Sequence, residues 1–203
     1  MKEYQSIIIN LLDYNEQSNY DSIDIVCRNL SKVFDKKLCD NGTFWIFCDS
    51  FKSKNSFKPN FFTIANNFNS YYLKNIILNV DFEKRNNDGF IFNNQASHLL
   101  FFSKNEKYFF NKDSIREKHI WKDVEWGKRK KNYNPLGKSP GNVWIKTEDD
   151  GRGSITKHIP LTINDSIERI LLSSSNENDN VLLVNFKNEI KNKQNRIINY
   201  EEV

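Results

Sequence analysis

Residues 43–48 read Thr-Phe-Trp-Ile-Phe-Cys, a run rich in strand formers and apolar on both faces of any extended segment it forms. A strand of that kind must be covered on both sides, which is the condition of an inner strand in a parallel sheet flanked by helices. A turn signal, Asp40-Asn41-Gly42, leads into it. Before the turn lies a helical pattern from about Ser22 to Leu38, with Ile23, Val26, Cys27, Leu30, Val33 and Phe34 on one face. Ahead of that, Ser6–Leu12 (SIIINLL) is a short β-branched run. Strand, helix and buried strand in succession predict an α/β fold with a mainly parallel central sheet.

The rest of the chain continues the alternation. Pro59 opens a second helical stretch through Phe68, and Tyr72–Val80 and Ser97–Phe102 read as strands. Residues from about Asp113 to Ser154 differ: they hold most of the glycines, three of the four tryptophans and little periodicity. They are read as an inserted, loop-rich segment within one domain spanning residues 1–203. A helix is expected over Ile163–Ser173 with Asn164 or Asp165 near its N-cap. A strand over Val181–Phe186, a Lys/Asn-rich helix and a last strand over Arg196–Tyr200 complete the expected order.

Composition excludes several classes. A hydrophobic content of 38% and an aromatic content of 14% suffice for a packed core, and the net charge of +4 is only weakly basic. No apolar run approaches the roughly 18 residues of a membrane span, and the opening MKEYQSIIIN lacks the pattern of a signal peptide. A cytoplasmic or nucleoid-associated protein without membrane contact is the expectation. Cys27, Cys39 and Cys48 have no metal-type spacing and read as buried, reduced thiols. The three histidines, His98, His119 and His158, are too scattered for a metal site, and Asp13, Asp40 and Asp49 form no ordered carboxylate set.

Five segments, in order, resemble the β-class DNA amino-methyltransferases, the site-specific N6-adenine and N4-cytosine methylases. FWIFCDSF (44–51) is similar to the family's "xxIxxGDSY", and YYLKNIILNV (71–80) to "YLRNDIIWxK". SHLLFFSKNEKYFFNKDSIRE (97–117) resembles "HEYIFLFSKSKxYYFDxDAIRE", and YNPLGKSPGNVW (133–144) resembles "NPxGKNPGDVW", the most specific of the five. KHIPLTINDSIERIL (157–171) is similar to "KHPAxFPEELxERLI", with Ile159 at a family proline. The resemblance implies a Rossmann-like methyltransferase fold in which residues 113–154 form the target-recognition-like segment. The family also carries a strand and turn upstream of its catalytic strand, for which MKEYQS leaves no room. A trimmed sheet edge, or one covered by a partner, is expected there.

Both chemical motifs of that family are degenerate in this chain. The catalytic motif, D/N/S-P-P-Y/F/W, uses a proline-fixed turn to hold the target amino group and an aromatic ring to stack on the flipped base. Asn10-Leu11-Leu12-Asp13-Tyr14 stands at that place, and no proline precedes Pro59. The cofactor motif, "VLDPFxGSGT", uses glycines so that backbone approaches S-adenosylmethionine. Here Leu183, Val184, Asn185, Phe186, Lys187 and Glu189 occupy it, and Gly153 is the last glycine of the chain. Lys187 and Glu189 are expected to fill the turn. Glu201 stands where the family keeps its ribose-binding acid.

The basic run Lys128-Arg129-Lys130-Lys131, with Lys122, Lys138, Trp126 and Tyr133 nearby, lies inside the recognition-like segment. Cations there would neutralise phosphates while aromatics stack on bases. The Asn134–Asn142 stretch reads equally as a DNA-facing loop or a latch onto the sheet, and Trp144 as packed beneath it. The expectation is a catalytically inactive homologue, a DNA-binding or scaffolding subunit without cofactor or metal, serving an active methyltransferase or a second copy. The first rival is an active N6-adenine or N4-cytosine methyltransferase using S-adenosylmethionine, with divergent motifs or motifs completed by another chain. The second rival is a protein-interaction module that reuses the fold.

Overall fold

The computed structural model describes residues 2–12, 20–53, 56–80, 96–119, 133–149, 155–159, 161–187, 190 and 192–202, with backbone alone at 20–22, 50–58, 149 and 155–158. In chain order the elements are β1 (Tyr4–Leu11), α1 (Tyr20–Lys37), β2 (Leu38–Cys48), β3 (Ser50–Ser53), β4 (Ser56–Pro59), α2 (Asn60–Asn67), β5 (Tyr72–Val80) and β6 (Ala96–Ser103). After a 3₁₀ turn at Lys112–Ile115 come β7 (Val143–Trp144), β8 (Lys146–Asp149), β9 (Ile155–Ile159), α3 (Ile163–Ser174), β10 (Asn180–Val184) and β11 (Ile197–Glu201).

Thr43–Cys48 is the C-terminal half of β2, and it lies near the centre of a seven-stranded sheet ordered β11-β10-β1-β2-β6-β5-β7. From β11 to β2 neighbouring strands run parallel; β6 is antiparallel to both β2 and β5; β7 returns to parallel against β5. The mainly parallel sheet read from the sequence is therefore present. Each inner strand feeds both faces, as side chains alternate along an extended chain. Ile7, Ile9 and Leu11 join Phe34, Phe44 and Phe68 under α1 and α2, while Ile8, Trp45 and Leu183 pack under α3. Trp45 lies flat on Phe101, with ring centroids 3.9 Å apart. Its indole nitrogen donates to Thr43 Oγ1 at 3.2 Å, so its polar edge is satisfied inside the core.

Two expectations need correction and one is sharpened. The N-cap of α3 is Thr162, with Asp165 close to it as expected: the Thr162 Oγ1 accepts from the Asp165 amide at 3.1 Å, and Asp165 Oδ2 accepts from the Thr162 amide at 3.0 Å. Asp165 is thus the third helical residue of a capping box, the reciprocal arrangement that satisfies two end-of-helix donors. The expected Lys/Asn-rich helix after β10 is not formed by the described residues there. Gln194 and Asn195 take positive φ values of 47° and 57°, and Asn192 Oδ1 accepts from the Gln194 amide at 3.2 Å. Asparagine side chains bond nearby backbone in this way and so favour turns over helix interiors. Finally, the inserted segment is not wholly irregular. Its return leg contributes β7 to the central sheet, and β8 pairs with β9 just beyond it.

Cys27 and Cys48 are buried, and Cys39 is half-buried, a partial departure from the reading of three buried thiols. Burial, with a smaller push from Asp24, raises the Cys27 thiol to about 12, so it is inert at neutral pH. Among the described residues no helix is long and apolar enough to cross a membrane, and no group of three or more His, Cys, Asp or Glu could hold a metal ion.

Candidate functional site

In sheets of this kind ligands bind at the carboxyl ends of the parallel strands. The strand register brings Leu11, Cys48, Val184 and Glu201 to that rim: Leu11 pairs with Cys48, Ile9 with Val184, and Val184 with Glu201. The segments ending β1 and β10 and the acidic Glu201, separated by most of the chain, therefore meet along one edge.

At the end of β1, Asn10 Oδ1 accepts from the Leu12 amide at 3.0 Å, so the side chain turns back on its own backbone. Leu11 is buried in the layer beneath α1 and α2, whereas Leu12 packs on the layer beneath α3. Leu11 and Leu12 are thus divided between the two cores. Asp13 and Tyr14 lie outside the described residues.

After β10 the chain turns at Asn185, whose φ is +60° and whose amide donates to Glu201 O at 2.9 Å. Phe186 then packs inward, edge-on to Phe47 with centroids 6.4 Å apart. Ile190 is 4% exposed, and its amide donates to the Tyr200 hydroxyl at 3.2 Å. Lys187 is exposed, contrary to the expectation that it fills the turn, because an ammonium stays hydrated where an apolar neighbour can take the buried place. Glu189 lies outside the described residues. Among the described residues, Phe186 and Ile190 rather than Lys187 occupy the ground beside the turn.

Glu201 is engaged too. Lys37 Nζ, at the end of α1, donates to its two carboxylate oxygens at 3.0 and 2.8 Å. Each side chain is about one-third exposed (30% and 34%), so the pair adds little stability. What matters is that both oxygens face a cation of the same chain.

One cluster on this rim escaped the sequence reading. His98 lies across from Cys48 on β6, and its ring stacks on Phe61 at 4.4 Å. Burial holds the imidazole below its ordinary pKa, against an opposing pull from Asp49. His98 Nδ1 and Asn60 Oδ1 are buried with no hydrogen-bond partner among the described residues. The sequence gives His98 no metal-type spacing with the other histidines and places Asp49 in no ordered carboxylate set. Only the β2–β6 register brings them together.

The recognition-like segment is described at its two ends. Tyr133 lies against His119 with ring centroids 4.8 Å apart, and Lys138 exchanges backbone hydrogen bonds with Glu117 at 2.7 and 3.1 Å. Gly137 has φ +106°, and a Cβ there would lie 2.5 Å from Glu117 O, so only glycine permits this approach. The Asn142 carbonyl accepts from the Leu78 amide at 2.8 Å, and the Trp144 indole, 3% exposed, donates to Gly141 O. The Asn134–Asn142 stretch thus latches the segment to the sheet, with Trp144 packed beneath as expected. Lys122, Trp126, Lys128, Arg129, Lys130 and Lys131 lie outside the described residues.

A family model described as DNA methylase, of the N6/N4 type, matches residues 8–182. The type II methyltransferase M.BglII, recorded from Bacillus subtilis, is 37% identical over 89 residues, which cover 41% of this chain and 25% of that protein. The chain thus matches about a quarter of that relative's length. Among solved structures, the cytosine-N4-specific PvuII DNA methyltransferase superposes with a TM-score of 0.63 at 14% identity, covering 100% of this chain and 77% of that one. M1.HpyAVI superposes with a TM-score of 0.56 at 19% identity, covering 100% and 82%. At these identities the structural likeness speaks for the fold alone.

Proposed function

Because the chain belongs to the N6/N4 DNA methylase family, we propose that it acts as a DNA-binding or scaffolding member of that family that transfers no methyl group. One observation carries the reading: the turn after β10, where the family needs glycine backbone, is packed with Phe186 and Ile190 and laced to β11 through Tyr200 and Glu201. M1.HpyAVI has been solved with S-adenosylmethionine bound, so a scaffold of this shape accepts that molecule when its rim allows it. Here the rim does not fit it. Side chains stand beside the turn, Glu201 faces Lys37, and Leu11 and Leu12 serve the two cores.

DNA is the partner this reading implies. The basic run Lys128–Lys131 with Lys122, Lys138, Trp126 and Tyr133 is the proposed contact surface, since phosphate neutralisation needs no cofactor. An active methyltransferase subunit or a second copy would supply catalysis, in the cytoplasm or on the nucleoid. The rival reading, an active enzyme completed by another chain, draws support from Asn10 and Glu201, which keep family-like identities at their places.

Incubation of the full chain with labelled S-adenosylmethionine and mixed-sequence DNA tests the proposal. The DNA should stay unlabelled. Incorporation that disappears in Tyr14→Ala would instead establish an active enzyme.

A further inference from the structure

The two legs of the inserted segment meet a single side chain of α3. Arg169 Nη1 lies 3.3 Å from Glu117 Oε1 on the outgoing leg, and its guanidinium sits 5.5 Å from the ring centroid of Trp144 on the return leg. The Arg169 side chain is 20% exposed, so both contacts are sheltered from solvent. Glu117 itself is the rung that joins the legs, through its two backbone hydrogen bonds to Lys138. Its carboxylate also has Lys138 Nζ at 4.0 Å. Arg116 reinforces the junction by donating to Gly137 O at 3.1 Å.

We propose that the Arg169–Glu117 pair is a positioning device that sets the direction in which the two legs, residues 113–119 and 133–144, leave the sheet, and through it the affinity for DNA. This rests on the DNA-binding reading above. The physical case is one of fixed points. A single backbone rung can pivot about its own axis, because two hydrogen bonds between one residue pair restrain little rotation. Asn111, whose amide donates to Ser173 O at 2.7 Å, and Ser114, whose hydroxyl donates to Leu172 O at 2.8 Å, anchor the start of the outgoing leg to α3. Arg169 then grips Glu117 and Trp144 from the same helix. With the rung tied to α3 as well as to its partner leg, the pivot is removed. A planar, multiply donating guanidinium can serve a carboxylate and an indole face at once, which an ammonium does less well.

Neutralising Glu117 is expected to act opposite in sign to simple electrostatics. Glu117 is a negative charge beside a surface proposed to bind phosphates, so neutralising it should tighten DNA binding if charge alone counted. If Glu117 positions the segment, neutralising it should weaken binding.

The experiment compares the full-length wild type with Glu117→Gln, Arg169→Met and the milder Arg169→Lys. It measures affinity for a mixed-sequence duplex at two salt concentrations, and amide hydrogen exchange. Glu117→Gln and Arg169→Met should each weaken DNA binding by about fivefold and flatten its salt dependence, with Arg169→Lys intermediate. The Glu117 and Lys138 amides should exchange about tenfold faster while the Leu182 amide in β10 keeps its protection. Tighter binding in Glu117→Gln, or unchanged exchange at Glu117 and Lys138, would overturn the proposal. Should the wild type bind no DNA, the reading beneath it fails. The exchange rates then decide the clamp alone: faster exchange upholds it as a structural positioning device, and unchanged exchange overturns it.

Discussion

Replacing Lys128, Arg129, Lys130 and Lys131 together by glutamate is expected to lower affinity for duplex DNA by about three orders of magnitude near 0.1 M salt, and to flatten its salt dependence by about four units of log–log slope. The estimate comes from counterion release, in which each neutralised phosphate contributes roughly 0.9 of a unit to the slope. Charge reversal adds repulsion to the loss of contacts, so the figure is a lower bound. Thermal stability should change little. The rung between Glu117 and Lys138, the Trp144 packing and the β5–β7 pairing hold the segment at its ends. Electrophoretic or fluorescence titration at two salt concentrations, with a melting curve as control, reads both quantities. An unchanged affinity in a folded variant would shift the weight to the protein-interaction reading.

The second large effect belongs to the scaffold. Phe44→Ala should destabilise the chain by about 4 kcal/mol, a substantial part of the 5–15 kcal/mol typical of a domain. Phe44 is fully buried and touches four rings: Phe102 in face-to-face stacking at 4.7 Å, Phe34 at 4.4 Å, Tyr71 edge-on at 5.1 Å and Phe68 at 5.4 Å. These come from β6, α1 and the α2 end, so one truncation opens a cavity where three elements meet β2. A rigid cluster of rings cannot collapse to fill it, which places the cost toward the upper part of the usual range. Phe62→Ala, at a site 62% exposed, should fall within about 0.5 kcal/mol of the wild type. Urea denaturation checks both: the Phe44→Ala midpoint should drop with little change in slope, and a midpoint near wild type would show that the ring cluster relaxes around the gap.

Much of this architecture is legible in the residues because each inner strand carries a one-element signal. Thr43–Cys48 is apolar on both faces, and it is buried on both faces. Val181–Leu183 and Ile7–Ile9 behave alike. The features that stayed hidden depend on partners remote in sequence. β7 has two residues, too few for any period, and it exists because Leu78 and Asn142 meet across the sheet edge. The Lys37–Glu201 pair spans 164 residues, and Glu117–Arg169 spans 52. The α3 cap is a different case, because Thr162-Ile163-Asn164-Asp165 carries a capping-box pattern that competed with two further good cap residues. The candidate site divides the same way. Absent prolines and glycines are visible in the sequence, whereas the inward packing of Phe186 and Ile190 and the outward course of Lys187 required the fold.

The most direct test of the central claim is calorimetric titration of the full chain with S-adenosylmethionine. If the turn beside Phe186 has been given over to packing and Glu201 to Lys37, the heats should match simple dilution up to millimolar ligand. A saturable isotherm with a micromolar Kd would contradict that account, because it would mean that the rim still opens to the cofactor its family uses.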